Sequence, residues 1–186
     1  MNCPYRLDVL EYAHYTSSML KAVFPGTFDP PTNGHLNLIE RAAGIFEKLY
    51  VVVAVNQAKH CLFSAEERRS MMVGLLRRYR NVEVKLWDRL IVDFAGEYDA
   101  KIMLRGVRAL ADFGYEFELA MTNKGLRPEL EIMFMPTDPQ YFVLRSSAIK
   151  EIAMLGGDVS TMVPPDVINA LKNRLKKESA SDTAKP

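Results

Sequence analysis

An α/β fold with a doubly wound, parallel sheet of five strands and helices on both faces is predicted from three observations. From Lys21 onward, short β-rich runs alternate with amphipathic helical patterns, which is the pattern of a parallel sheet wrapped by helices. The chain has 186 residues, enough for one sizeable core and too few for two independent ones. The hydrophobic stretches are short and separated by charged helical faces, and none approaches the roughly 20 residues needed to span a bilayer.

The elements follow in order. A first strand over Lys21 to Phe24 runs into Pro25-Gly26, and Thr32-Asn33 precede a helix near Gly34 to Lys48. A second strand is predicted over Leu49 to Asn56. The helix after it, Ala65 to Tyr79, is well marked: Ser64 and Glu67 form a capping box ahead of the apolar positions Met71, Met72 and Leu75. Then come a strand at Val82 to Trp87, a helix at Val92 to Tyr98, a strand at Lys101 to Leu104 and a helix at Ala109 to Leu126. A fifth strand at Glu131 to Met135 and a helix at Ser147 to Leu155 complete a Rossmann-like layout. The last helix is expected from Pro165 to Lys177, with proline in its first turn and Arg174, Lys176 and Lys177 where the helix dipole favours cations. Residues 19–177 are read as one domain. Residues 178–186 are expected to be a frayed polar tail. Residues 1–18 show no periodicity and are expected to be a loose arm or a misassigned start, with Met19 directly before the first strand.

Charge and cysteine content limit the classes of function. Lys+Arg of 24 against Asp+Glu of 23 gives a net charge of +1, so nothing in the balance points to nucleic acid or an anionic membrane, and anion binding must be local. Cys3 and Cys61 have neither metal-ligand nor framework spacing, which suits free thiols in a reducing cytosol. Arg6, Asp8, Glu11 and His14 break the apolar run that an export signal needs. A cytoplasmic protein is expected.

The chemistry-bearing residues gather after strands. In an open α/β sheet, ligands collect at the carboxyl ends of the strands, where helix N-termini offer free amide hydrogens to anions. Pro25 to Pro30 and Thr32 to His35 occupy such a place, with Thr27 and His35 as side-chain donors and Gly26 and Gly34 allowing close backbone approach. A polar surface histidine and ordinary turn chemistry would also account for these residues singly. Together, Gly26-Thr27-Phe28-Asp29-Pro30 and Thr32-Asn33-Gly34-His35 resemble the Gly-Thr-Phe-Asp-Pro and Thr-x-Gly-His motifs of the adenylyl- and cytidylyltransferase superfamily.

Three further segments narrow the resemblance. Arg105-Gly106-Val107-Arg108, read as following the fourth strand, could bring two guanidinium forks to phosphate. With Asp112, Phe113, Tyr115 and Glu116 it is similar to the Arg-Gly-x-Arg-x-x-x-Asp-Phe-x-Tyr-Glu segment of bacterial phosphopantetheine adenylyltransferases. Lys59, otherwise an ordinary loop lysine, stands at the family's distance from His35. Ser146 and Ser147, either of which could simply be an N-cap, fit the family's serine-rich turn, which is similar to an Ile-Ser-Ser-x-x-x-Lys pattern. Arg145 replaces the small hydroxyl residue common there, and Arg89 the glycine or acidic residue common in the Leu90-Ile91 loop. The resemblance covers roughly Lys21 to Leu175.

The resemblance implies transfer of the adenylyl group of ATP to 4′-phosphopantetheine, with dephospho-coenzyme A and pyrophosphate as products. It implies that His35 and Thr27 stabilise the α-phosphoryl group, that Lys59 and Arg105 hold the attacking phosphate, and that Arg108, Ser146 and Ser147 hold the leaving phosphates. It places Leu90, Ile91 and Asn123 on the pantetheine arm, and Phe28, Gly106, Val107, Glu116, Tyr141, Phe142, Val143, Leu144 and Arg145 around ATP. Mg²⁺ is expected to bridge ATP phosphates through water, without protein side chains as ligands. A homohexamer is implied, with contacts from apolar surface around Ile45, Phe46 and Leu49 or along the later helices, and coenzyme A as a feedback ligand. One rival is a nucleotidyltransferase acting on nicotinate mononucleotide, or using CTP, without the Arg105 to Glu116 segment. Another is a nucleotide- or RNA-binding module that lacks turnover.

Overall fold

The computed structural model describes residues 20–56, 58–142 and 145–182. The expected arm at 1–18 and the end of the tail, 183–186, lie outside the described residues. The strands are β1 (Lys21–Gly26), β2 (Lys48–Ala54), β3 (Val82–Trp87), β4 (Ile102–Val107) and β5 (Glu131–Pro136). The helices are α1 (Asn33–Ala43), α2 (Ala65–Leu76), α3 (Ile91–Glu97), α4 (Leu110–Leu126), α5 (Ser146–Met154) and α6 (Pro165–Asp182), with a 3-10 turn at Pro139–Tyr141. All strand pairs are parallel, in the order β3-β2-β1-β4-β5.

Both faces of the sheet are covered, as a parallel sheet requires. Side chains alternate along a strand, so Ala22 and Phe24 of β1 and Leu49, Val51 and Val53 of β2 join Leu38, Ile39 and Ala42 of α1 and Met72 and Leu76 of α2 in one core. Val23, Tyr50 and Val52 point the other way, into a core with Val92, Phe94 and Ala95 of α3. A third cluster joins Phe63 and Ile149 to Val167 and Leu171 of α6, which docks the last helix near α2.

The chain order reverses between β1 and β4, and there the ladder is short. Only Ala22↔Ile102 and Val23↔Met103 pair, although β1 stays paired with β2 as far as Gly26 and β4 with β5 as far as Val107. The two strands therefore part at their carboxyl ends, which opens a crevice at the topological switch point. Pro25, with no N–H to give, stands where they separate.

Several sequence expectations change: β1 runs on to Gly26, β2 ends at Ala54 rather than Asn56 and α2 at Leu76 rather than Tyr79. α1 ends at Ala43 rather than Lys48, because Gly44 caps it and the Asn81 amide donates to the Ala43 and Phe46 carbonyls. That turn puts Phe46 and Leu49 in the core, so neither supplies exposed contact surface; Ile45 alone of that trio is exposed. β4 extends to Val107, since pairing with β5 prolongs it, so Arg105 and Gly106 belong to the strand rather than the loop after it. α6 continues to Asp182, five residues beyond the expected Lys177.

Candidate active site

His35 is the third residue of α1, and its position is fixed twice. The Thr32 hydroxyl accepts from the His35 N–H (3.2 Å), and His35 Nδ1 accepts from the Thr32 N–H (3.1 Å), so histidine plays the part usually taken by glutamate in a capping box. Because Nδ1 accepts, the proton of the neutral ring sits on Nε2, which is left as a donor. Burial of the ring, with the Arg108 guanidinium adding to it, lowers the His35 pKa from 6.5 to about 4. The ring is therefore neutral at pH 7.

That shift has a sign. The unfolded chain takes up a proton at His35 that the native state refuses. Its contribution to stability is complete above pH 6.5 and is lost as pH falls from there to about 4. The unfolding midpoint should drop across that window, and the His35 ring should titrate near 4 by NMR rather than near 6.5. His35→Gln should remove that share of the pH dependence, which comparing urea midpoints of the two proteins would check.

The loop between β1 and α1 is held from within. Gly26 leaves room for the Phe28 ring, 2.7 Å from where a β-carbon would stand. Phe28 has φ +51°, and its buried ring packs edge-on against Phe24 and His35. What Phe28 can offer a ligand is therefore its main chain. Thr27 is half-buried at the end of β1, and its carbonyl accepts from Arg68 (2.6 Å). Gly34 has no such internal constraint: a β-carbon there would stand 3.5 Å from Thr32 Oγ1 and 3.6 Å from Tyr141 Cβ, ordinary contact distances that place Tyr141 beside the helix start.

Across the crevice lie the arginines. Arg105 Nε donates to Glu116 (2.6 Å), both side chains being largely enclosed. Gly106 is required by packing, since a β-carbon there would collide with Leu38 of α1. Val107 ends β4, and its carbonyl accepts from the Thr137 N–H. Arg108 and Arg145 converge on one carboxylate: Asp112 faces Arg108 Nε at 3.2 Å and Arg145 Nη2 at 2.8 Å. Ser146 and Ser147 open α5, whose N-cap is Arg145 with no side-chain cap bond, so neither serine is the cap. Ser146 Oγ instead donates to the Pro30 carbonyl (2.9 Å), tying α5 to the β1 loop.

The other expected residues differ in exposure and local hydrogen bonds. Lys59 is exposed in the loop after β2, with its N–H on the Asn56 carbonyl. Leu90 is exposed and Ile91 half-buried at the start of α3, with the Leu90 carbonyl held by the Trp87 indole N–H. Arg89 lies over the Trp87 ring (4.1 Å) and pairs with Glu97 (3.0 Å), so its charge is already engaged. Asn123, two turns along α4 from Glu116, donates to the Leu119 carbonyl of its own helix. Phe142 is exposed. Val143 and Leu144 lie outside the described residues.

Three supporting residues escaped the sequence reading. Asp29 is 4% exposed and accepts from the Leu62 and Phe63 N–H groups (2.9 Å each) and from Lys150 Nζ (2.6 Å). Asp112, in the first turn of α4, pairs with Arg108 just ahead of that helix at 3.2 Å. Arg68 sits on the buried stripe of α2 with Met72 and Leu76, a spacing of four that marks a core-facing position.

Comparisons with known proteins identify the family. A family model described as cytidylyltransferase-like matches residues 23–152. The phosphopantetheine adenylyltransferase of Clostridium tetani is 46% identical over 147 residues, covering 79% of this chain and 92% of its own length. That of Streptomyces coelicolor is 45% identical over 158 residues, covering 85% and 99%. A solved structure from Vibrio parahaemolyticus, provisionally assigned as a nicotinate-nucleotide adenylyltransferase, superposes with a TM-score of 0.62 over 85% of this chain and 95% of its own. At 20% identity it speaks to the fold alone. With relatives of this identity matched over nearly their whole length, the chain belongs to the phosphopantetheine adenylyltransferases within the cytidylyltransferase-like family.

Proposed function

We propose that this protein transfers the adenylyl group of ATP to 4′-phosphopantetheine, giving 3′-dephospho-coenzyme A and pyrophosphate in coenzyme A biosynthesis. The names of its relatives support the substrates. The observation that carries the chemistry is the set of donors at the parted ends of β1 and β4: Thr27, a neutral His35 with Nε2–H, and the arginines of β4 and its loop.

Phosphate is already an ionised nucleophile at neutral pH, so the reaction needs neither a general base nor a covalent enzyme intermediate. The protein's task is to align the attacking oxygen with the α-phosphorus and to stabilise charge as the phosphoryl group becomes crowded. His35, neutral and fixed in tautomer, suits donation to an α-phosphoryl oxygen and is poorly suited to proton transfer at pH 7. Thr27 joins it. Lys59 and Arg105 hold the attacking phosphate, and Arg108, Ser146 and Ser147 hold the leaving one. For the arginines this means exchanging Glu116 and Asp112 for phosphate oxygens. ATP enters as its Mg²⁺ complex, the ion keeping phosphate and water as ligands because Mg²⁺ dehydrates reluctantly.

The same reading includes a cytoplasmic homohexamer with coenzyme A as feedback ligand. Phe113, Phe117 and Met121 of α4 and Met133 of the edge strand β5 are exposed apolar side chains of the kind that subunit contacts cover. Among the described residues no helix is long and apolar enough to cross a membrane.

A pyrophosphate-release assay with ATP and a panel of acceptors tests the reading. Release should require 4′-phosphopantetheine, and CTP should replace ATP poorly. Turnover with nicotinate mononucleotide and none with phosphopantetheine would overturn it.

A further inference from the structure

We propose that Arg68 is a positioning residue that holds the two loops of the reacting centre, those carrying Thr27 and Lys59, in fixed relation to each other. The inference rests on the reaction proposed above. Arg68 projects from α2 and is 3% exposed. Its Nη1 donates to the Thr27 carbonyl (2.6 Å) and the Ala54 carbonyl (3.2 Å), and its Nε to the Phe63 carbonyl (3.2 Å). Those three carbonyls have distinct places. Thr27 follows β1 directly, Ala54 ends β2 where the Lys59 loop departs, and Phe63 is where that loop rejoins the fold.

One planar guanidinium therefore spans the base of the Lys59 loop at both ends and anchors Thr27 beside it. Asp29 completes the clasp from the other side, since Phe63 donates its N–H to Asp29 while its carbonyl accepts from Arg68. The Lys59 side chain is exposed on a loop, and it can be placed accurately only through the ends of that loop. A buried charge is a poor device for stability alone, because apolar side chains of similar volume do as well or better. A rigid fork with several fixed donors is well suited to setting relative position, which a single ammonium cannot reproduce.

Kinetics of the whole chain test this. Arg68→Met, assayed well below its melting temperature and shown folded by near-UV circular dichroism, should lose about 10²-fold in kcat/KM for phosphopantetheine. Its ATP dissociation constant should stay within a few-fold of wild type, since Arg108 follows β4 and Arg145, Ser146 and Ser147 lie at the start of α5, away from the carbonyls that Arg68 holds. Arg68→Lys, which can reach one or two of the carbonyls, should fall between Arg68→Met and wild type. A purely structural arginine would lower the melting midpoint and leave the kinetics of the folded protein unchanged, and that outcome overturns the proposal. Should Arg68→Met fail to fold, Arg68→Lys decides: wild-type kinetics in that variant also overturn it. Failure of the wild type to use phosphopantetheine would instead count against the reaction, so the two failures are distinguishable.

Discussion

His35→Ala should lower kcat about 10²–10³-fold, the usual loss for one donor aimed at developing charge, while the ATP dissociation constant stays within a few-fold. The reasoning starts from the capping box. Thr32 occupies Nδ1, so Nε2–H is the hydrogen the ring can give, and burial keeps the ring neutral, so it contributes little Coulombic attraction to bound ATP. A neutral donor gains most where phosphoryl oxygens crowd and charge concentrates, in the transition state rather than the ground state. The variant also loses one arm of the cap, worth about 1 kcal/mol, and thermal melting would separate that loss from the catalytic one. Steady-state rates with calorimetric dissociation constants check the split. Wild-type kcat in a folded variant would reduce the histidine to a helix-start residue.

Lys59→Ala should behave differently, raising KM for phosphopantetheine and lowering kcat/KM by about 10–10²-fold, as expected for losing a charge-assisted bond. On the proposed reading Lys59 engages phosphate before reaction begins, so its loss should appear in binding as well as in turnover. Its side chain is exposed, so the melting temperature should not move. Calorimetry with phosphopantetheine in the absence of ATP isolates the effect. Unchanged affinity would place the phosphate elsewhere in the crevice.

The elements were legible where periodicity or a cap marked them. Ser64 and Glu67 announced α2 and do form its capping box, and the β-branched run of β2 is buried along its length. Boundaries failed where distant partners set them: β4 runs past Leu104 because β5 pairs with Arg105 to Val107, and α1 stops early because Asn81, far along the chain, meets its last carbonyls. Among the candidate site residues, Thr27, His35 and the arginines could be picked out from short motifs. Arg68 was not, because charge ordinarily signals solvent and its three partners are main-chain carbonyls with no identity in a sequence. Arg68, Met72 and Leu76 nevertheless recur at intervals of four, so the pattern was present once a cation was admitted to the stripe.

The parting of β1 from β4 after Val23 means that the sheet is left unfinished by its own chain. Each ladder bond forgone would have contributed about 1 kcal/mol, and main-chain groups near the split keep hydrogen-bonding capacity that a zipped seam would have consumed. A ligand whose phosphate oxygens accept from such amides supplies part of what the sheet lacks. Occupancy and structural completion then become a single linked equilibrium, in which nucleotide stabilises the native state by mass action. On the proposed reading the substrate would then serve as a temporary member of the architecture, and the protein would be held tightest at the moment it is ready to react.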